Sequence, residues 1–225
     1  MSEKTKKGDF AEIKYTGYAN GDIFDSNFED ELKKINPKAK PVKTVVVIGE
    51  QMIVEGLDKA LKDKEVGKDY EVSFSAKDGF GERRRDFVKT IPLKAFTEHK
   101  MNPQAGMVLN LDNHLVKILA VSGARVTADF NNPLAGKELT YKFKIVKIVD
   151  DAKEKAESLF SYFFRFVPEF EIKEKIVVKG QKSMSILIDA FSKKFKELLG
   201  KEMEFEEVEE KKEDLKPEKG KENAS

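Results

Sequence analysis

Apolar and polar residues alternate along several short segments of the first 150 residues, and this period of two is typical of half-buried β-strands. It appears first over residues 9–25, where Asn20-Gly21 predicts a hairpin turn between two strands. Further strands are predicted at 44–48, 70–74 and 137–149, and 26–41 reads as a long loop with about one helical turn. Between the strands, helical spacing is shown by Ile53, Val54, Leu57, Ala60 and Leu61. We therefore expect an α+β fold, a small twisted antiparallel sheet with one short helix packed on it.

The pattern changes between residues 83 and 128. This segment has a helix signal around 92–96 and short strand signals at 107–111, 115–121 and 125–128. It is too long and too rich in strands for an ordinary loop. We expect a second small β-domain, residues 83–128, inserted into a first domain made of residues 1–82 and 129–150.

A third unit is predicted at 151–208. An apolar stripe predicts a first helix with Ala156, Leu159, Phe160, Phe163 and Val167 on one side, 171–178 reads as one strand, and a second helix ends at Gly200. We therefore expect a C-terminal α/β domain at 151–208. Residues 209–225 are rich in Lys and Glu without apolar periodicity, which predicts a disordered charged tail.

Four further aromatic residues of the third unit fall outside the inward stripe: Tyr162, Phe164, Phe166 and Phe170. Two interpretations remain open. They could form an interface with another copy of the chain, giving a homodimer through the C-terminal domain, or with a client protein. Alternatively, a self-contained domain could bury them on its own strand.

The charge balance, the lack of Cys and the lack of a long apolar run argue against several classes of function. The 42 Lys and Arg residues nearly cancel the 41 Asp and Glu residues, so a nucleic-acid or membrane-surface partner is not expected, although Arg83–Arg85 is a basic run. The chain has no Cys, which excludes a disulfide scaffold and a thiol nucleophile. It has no apolar run near the ~20 residues that span a bilayer, and we expect a cytoplasmic protein.

The sequence predicts no cofactor and no metal site. Only His99 and His114 could supply imidazole, and neither lies in a cluster of acidic residues. Gly79-Phe80-Gly81 is a turn rather than a phosphate-binding loop. What remains is a set of aromatic residues on a β-scaffold, Tyr15, Phe24, Phe80 and Tyr141, which periodicity alone would assign to a core.

Ordered sequence motifs favour a site instead. They are Tyr15-Thr16-Gly17, Asn20-Gly21-Asp22-Ile23-Phe24-Asp25-Ser26, Ile48-Gly49-Glu50-Gln51-Met52-Ile53-Val54-Glu55-Gly56-Leu57, Val66-Gly67-Lys68, Asp78-Gly79-Phe80-Gly81, Asn131-Asn132-Pro133-Leu134-Ala135-Gly136-Lys137 and Leu139-Thr140-Tyr141-Lys142-Phe143. Together they cover residues 8–150, and their order resembles that of FKBP-type peptidyl-prolyl cis/trans isomerases. With the insertion, the chain is similar to the SlyD-like and archaeal long-type branch, which carries an inserted domain in the flap.

The resemblance implies an isomerase that accelerates rotation of X–Pro bonds during protein folding. Its pocket would be lined by Tyr15, Phe24, Asp25, Ile53, Val54, Leu57, Phe80 and Tyr141. Leu57 stands where the best-known eukaryotic members carry tryptophan, and Phe80 stands where tyrosine is common. Asn132 replaces a frequent histidine.

The resemblance also implies chaperone activity in the insert, with unfolded or proline-containing polypeptides as partners. The candidate client-binding residues are Val88, Ile91, Phe96, Met101, Met107, Val108, Leu109 and Val121, of which some should form the insert's own core. The alternative is a peptide-binding holdase with a weak isomerase pocket, which the missing hydroxyl at Phe80 favours. A nucleic-acid-binding β-barrel is a third interpretation that the balanced charge disfavours.

Overall fold

The computed structural model describes residues 3–111 and 114–208 and divides the chain into two compact units, with the boundary between Val149 and Asp150. The predicted tail at 209–225 lies outside the described residues. The strands and helices of the first unit are, in chain order, β1 (Phe10–Ala19), β2 (Asp22–Ser26), α1 (Glu29–Ile35), β3 (Thr44–Val47), α2 (Glu55–Ala60), β4 (Asp69–Phe74), β5 (Val88–Pro92), α3 (Leu93–Glu98), β6 (Val108–Leu111), β7 (His114–Ser122), β8 (Arg125–Asp129) and β9 (Leu139–Ile148).

The main sheet of the first unit is antiparallel and has the strand order β2-β1-β9-β4. The long β1 also pairs with β3 over its first four residues, Phe10–Ile13, and with β2 over its last four, Thr16–Ala19. Asn20 and Gly21 both have positive φ, as a tight hairpin turn between β1 and β2 requires. The inward side chains of β1 and β9 pack with α2 in one buried cluster, which confirms the predicted mixed α+β fold.

Residues 26–41 are more ordered than the sequence predicted. The helix α1 has acidic residues in its first turn and lysines in its last, which complements the helix dipole. None of its side chains is buried. The sequence of α1 therefore lacks the regularly spaced apolar residues that would predict a helix of this length.

A separate antiparallel sheet with the order β5-β8-β7-β6 occupies residues 88–129. Its core consists of Phe96 from α3 and of Val116, Ile118, Val126 and Ala128 from β7 and β8. The sequence predicted the strands β6, β7 and β8 but not β5, which ends in Pro92 at a sheet edge. An edge is where a strand tolerates proline.

The second unit contains α4 (Ala152–Phe163), β10 (Glu169–Ile172), β11 (Ile176–Gly180), α5 (Ser185–Leu199) and β12 (Met203–Glu207). The prediction of one strand at 171–178 was wrong. Two antiparallel strands form a hairpin there, and β12, which the sequence analysis missed, pairs with β11 in parallel. Gly200 ends α5 with a positive φ, as predicted.

The aromatic residues of the second unit are mostly packed against each other. Phe160 contacts Phe164, Phe170 and Phe195 at centroid distances of 5.2, 5.0 and 4.7 Å. Phe164 is buried, whereas Phe166 and Val167 lie beyond the end of α4 and are exposed. Val167 therefore does not belong to the helix stripe. Within the described part of the chain, no helix is long and apolar enough to cross a bilayer.

Candidate active site

The main sheet brings Tyr15, Phe24, Asp25 and Tyr141 together from three strands. Gly17 of β1 is the register partner of both Asp25 on β2 and Tyr141 on β9. A Cβ at Gly17 would lie 2.8 Å from Phe24 Cζ and 2.9 Å from Tyr141 Cε1. Because glycine leaves this space free, the two rings meet edge to face over the backbone of β1, with centroids 5.7 Å apart.

Phe74 is a member of the site that the sequence analysis missed. Its ring stacks on Tyr141 at 5.7 Å with an interplanar angle of 11°. The ring rests on the backbone of α2, where a Cβ at Gly56 would lie 2.3 Å from Phe74 Cγ. The alternation of β4 indicated that Phe74 points inward, but only the pairing of β4 with β9 shows which ring it meets.

The remaining apolar residues of the site come from α2 and the segment before it. Leu57 is only 1% exposed and packs in the same cluster as Tyr141, whereas Ile53 and Val54 are half-buried. Asp58 fixes this segment, because its carboxylate accepts hydrogen bonds from the backbone N–H of Gly49 at 2.9 Å and of Gln51 at 3.0 Å. We call Tyr15, Phe24, Asp25, Ile53, Val54, Leu57, Phe74, Phe80 and Tyr141 the aromatic site.

The segment also presents unused hydrogen-bond donors. The carbonyl of Val54 accepts from Leu57 and Asp58 at the start of α2. The backbone N–H groups of Ile53 and Val54 donate no hydrogen bond within residues 3–111 and 114–208. Both donors are therefore unpaired within the described residues.

The polar part of the site is the pair Tyr15 and Asp25. The Tyr15 hydroxyl donates to Asp25 Oδ2 at 3.1 Å. Burial, reinforced by the charge of Asp25 and by this hydrogen bond, raises the pKa of Tyr15 far above its ordinary range. Burial and the charge of Asp25 raise the pKa of Tyr141 as well. Both phenols therefore stay protonated and can act as donors.

Phe80 forms the outer rim of the site. It is 37% exposed, and its ring meets Phe24 edge to face at 5.9 Å. Phe80 precedes the segment that connects the main sheet to the sheet of residues 88–129. The rim is therefore purely apolar at this position.

The candidate client-binding residues are divided between the core and the surface of the 88–129 sheet. Phe96 is 2% exposed and forms the centre of the core, so it is not available as a contact, and Ile91, Met101 and Leu109 pack against that core. Val88 is half-buried. Met107, Val108 and Val121 are exposed.

Two further apolar residues of this sheet, Leu115 and Leu119, are exposed but were not among the predicted client-binding residues. Val108 pairs with Lys117 and Asn110 pairs with Leu115, so Val108 and Leu115, each 57% exposed, share the outer face. Strict alternation along β7 would have indicated Leu115. The same alternation would have indicated Leu119, because Val116 and Ile118 are buried whereas Leu115, Lys117 and Leu119 are exposed.

The fold and the aromatic site together define a peptide-binding domain of FKBP-like α+β architecture. The site combines aromatic side chains, from the buried Tyr141 to the exposed Phe80, with unpaired backbone donors and a phenol–carboxylate pair, which suits an extended chain with an apolar ring.

Comparison with known proteins identifies the family. The sequence model of FKBP-type peptidyl-prolyl cis-trans isomerases matches residues 1–100, and that of the FKBP26 IF domain matches residues 89–134. The chain is 31% identical over 148 residues to a short-type peptidyl-prolyl cis-trans isomerase of Methanocaldococcus jannaschii, covering 64% of this chain and 94% of the relative. It is 25% identical over 157 residues to the FKBP-type peptidyl-prolyl cis-trans isomerase SlyD of Helicobacter pylori, covering 68% of this chain and 78% of the relative.

A second SlyD, from Haemophilus influenzae, is 32% identical over 102 residues and covers 44% of this chain and 53% of the relative. The chain therefore belongs to the FKBP-type peptidyl-prolyl cis-trans isomerase family. This confirms the resemblance that the ordered motifs indicated.

Proposed function

We propose that the aromatic site is where this peptidyl-prolyl cis-trans isomerase binds a proline ring and lowers the barrier to rotation of the preceding peptide bond. The observation that supports this most directly is the convergence of Phe24, Phe74 and Tyr141 next to the Tyr15–Asp25 hydrogen bond. These groups come from four strands and leave a half-buried apolar surface with a polar side.

The reaction needs an environment rather than a catalytic acid or base. Resonance gives the peptide C–N bond partial double-bond character, with a rotation barrier of about 18–20 kcal/mol. At the twisted transition state this resonance is lost and the carbonyl oxygen carries less negative charge. An apolar enclosure with a few fixed dipoles stabilises that state more than the planar amide.

The proposed roles follow from the positions of the residues. Phe24, Leu57 and Tyr141 enclose the proline ring, and the N–H of Val54 anchors a substrate carbonyl. The Tyr15 hydroxyl and Asp25 lie next to the rotating amide. Phe80 covers the outer side without offering a hydroxyl.

Substitutions in the polar pair test this assignment. Asp25→Ala and Tyr15→Ala should each lower kcat/KM on a proline-containing tetrapeptide by at least about tenfold, because each removes a fixed dipole at the rotating bond. Asp69→Ala is the matched control, since Asp69 is exposed and its carboxylate, among the described residues, forms an ion pair with Lys144 on the main sheet. Wild-type activity in both site variants would contradict the assignment.

We further propose that the 88–129 sheet is a chaperone domain that binds unfolded polypeptides, inserted as residues 83–128 between the two parts of the isomerase domain, 1–82 and 129–150. Support comes from the exposed apolar residues Met107, Val108 and Leu115 and from the match to the IF domain. An unfolded chain held there raises the local concentration of prolines near the aromatic site.

Two variants test whether the 88–129 sheet binds unfolded polypeptides while the aromatic site isomerises their prolines. Removing residues 83–128, or replacing Val108 and Leu115 by serine, should depress catalysis of proline-limited refolding far more than tetrapeptide isomerisation. Equal losses on both substrates would contradict it. In the same assay, a holdase would suppress aggregation without shortening the slow refolding phase.

For the second unit we propose an α/β domain, residues 151–208, that joins two copies of the chain in a homodimer. Phe166, Val167 and Ile186 are exposed apolar residues of this unit. Residues of this kind favour an interface.

A further inference from the structure

The 88–129 sheet is connected to the main sheet by two segments, residues 81–87 and 129–136, which we call the stem. Two backbone hydrogen bonds join the segments: Phe130 N–H donates to the carbonyl of Phe87 at 2.9 Å, and Gly136 N–H donates to the carbonyl of Gly81 at 2.9 Å. Because these bonds lie at opposite ends of the stem, the connection is a paired structure rather than two independent linkers.

Asn131 joins the segments between these two bonds. Its side-chain oxygen accepts from the N–H of Arg84 at 2.8 Å, and its Nδ2 donates to the carbonyl of the same residue at 2.9 Å. The carboxamide thus pairs with both backbone groups of Arg84, as a neighbouring strand would. It continues the pairing at a point where the backbones themselves do not pair.

Asp129 holds Asn131 in this orientation. One oxygen of its carboxylate accepts from the Asn131 backbone N–H at 3.0 Å and from Asn131 Nδ2 at 2.7 Å, and the other pairs with the guanidinium of Arg83. Burial opposes ionisation of Asp129, but the hydrogen bonds from Asn131 and the charge of Arg83 outweigh it and lower its pKa. Asp129 and Asn131 are each 8% exposed, so water competes little for these bonds.

The stem lies next to the aromatic site. Phe80, the rim residue in contact with Phe24, precedes it directly. A Cβ at Gly136 would lie 3.2 Å from Arg83 Cβ, so the two segments also approach closely. An orientation fixed at the stem is therefore fixed relative to the site.

We propose that Asn131 is a positioning residue that locks the stem, so that a polypeptide bound to the 88–129 sheet is presented to the aromatic site in one orientation. The inference rests on the proposed chaperone role of that sheet. Without the lock, the sheet would still bind the polypeptide but would sample a larger volume, which lowers the effective concentration of prolines at the site.

The kinetic test compares Asn131→Ala with the exposed insert control Asn102→Ala. Three quantities are measured for each: kcat/KM on a tetrapeptide, Kd for a permanently unfolded protein, and kcat for proline-limited refolding. For Asn131→Ala we expect the first two to stay at wild-type values and the refolding kcat to fall about five- to tenfold. Parallel losses in all three quantities, or no loss in any, would overturn the proposal.

A distance measurement tests the lock without reference to catalysis. The chain has no cysteine, so spin labels can be attached at Lys62→Cys near the end of α2 and at Lys117→Cys on β7. We expect one narrow distance distribution in the wild-type background and a broad one with Asn131→Ala. An equally narrow distribution in both would overturn the proposal.

Arg83→Ala is the second variant, in case Asn131→Ala fails to fold. It removes only the ion pair to Asp129 and should broaden the distribution less; an unchanged distribution would count against the lock. If removing residues 83–128 does not affect refolding, the chaperone role fails, while the distance distribution still reports on the lock.

Discussion

Tyr15 is held at both of its polar ends. Its backbone N–H donates to Asn27 Oδ1 at 2.7 Å, and its hydroxyl donates to Asp25. The Asn27 amide in turn donates to the carbonyl of Ile13 at 2.9 Å and to Thr44 Oγ1 at 3.0 Å. The tyrosine therefore presents its hydroxyl in a fixed position on a strand that is itself tied to its neighbours.

Tyr15→Phe should lower the free energy of unfolding at neutral pH. It should also weaken the decrease of that free energy at alkaline pH. Losing the hydrogen bond to Asp25 should lower the free energy of unfolding by about 1 kcal/mol at pH 7. Urea unfolding measures this loss. Tyr18→Phe, on the other face of β1, is the control.

The pH dependence follows from the raised pKa of Tyr15. The unfolded chain loses the phenolic proton near pH 10, whereas the folded chain keeps it, so the folded state binds more protons and stability falls as pH rises above about 10. The stabilisation is fully present below that pH. The difference between wild type and Tyr15→Phe should therefore shrink as the pH rises through this range, and a constant difference would contradict the assignment.

At the residue scale, the motifs identified Tyr15, Phe24, Asp25 and Tyr141. They did not identify Asn27 or Asp58, which make no contribution to an apolar pattern. Their hydrogen-bond partners lie 7–17 residues away in sequence. Only the folded backbone brings those donors and acceptors together.

At the scale of elements, the short helix α2 supports the site in two ways: Leu57 packs in the cluster that contains Tyr141, and the helix backbone at Gly56 approaches the site closely. Gly56 is buried at its start, and the ring of Phe74 fills the space that a side chain would take. The stacked pair of Phe74 and Tyr141 thus sits directly on the helix backbone. The helix α2 and the strands β4 and β9 therefore pack together.

Gly56→Ala tests this contact because two effects oppose each other. Helix propensity alone would stabilise the protein by about 0.5–1 kcal/mol. Displacing the Phe74 ring should cost about 1–3 kcal/mol, so we expect a net loss of stability, together with a higher KM on a tetrapeptide. Thermal unfolding and steady-state kinetics check both effects, and a more stable variant with unchanged KM would contradict the proposed packing.

The strands of the main sheet were predictable because their apolar alternation is strong and their hairpin turn needs residues with positive φ. The hairpin of β10 and β11 was not, because its turn at 173–175 is Lys-Glu-Lys, without a Gly or Pro to mark a break between the two strands. The parallel strand β12 was missed for a different reason: it has only Met203 and Phe205 as inward residues.

At the scale of the whole molecule, the aromatic site and the stem belong entirely to the first unit. The division at Val149 leaves each element that lines the site on one side of the boundary. The second unit has its own aromatic core around Phe160. Catalysis and the proposed self-association are therefore separable.

A chain that ends at Asp150 should fold and keep its tetrapeptide kcat/KM, because it retains each strand and helix of the first unit. Light scattering should show a dimeric mass for the full chain and a monomeric mass for the shortened one. A monomeric full chain, or a shortened chain that remains a dimer, would contradict the proposed interface. Lost tetrapeptide activity in a folded shortened chain would contradict the independence of the site.

The sequence by itself determined the family, the strands of the main sheet and the residues that the ordered motifs carry. These follow from local periodicity, turn chemistry and short motifs, each readable within a few residues. The tertiary structure decided the rest: Phe74 on Tyr141, Phe96 in a core rather than on a surface, and Asn131 pairing with Arg84 across the stem. These features depend on strand register and on contacts between distant segments, which the one-dimensional pattern of polar and apolar residues does not encode.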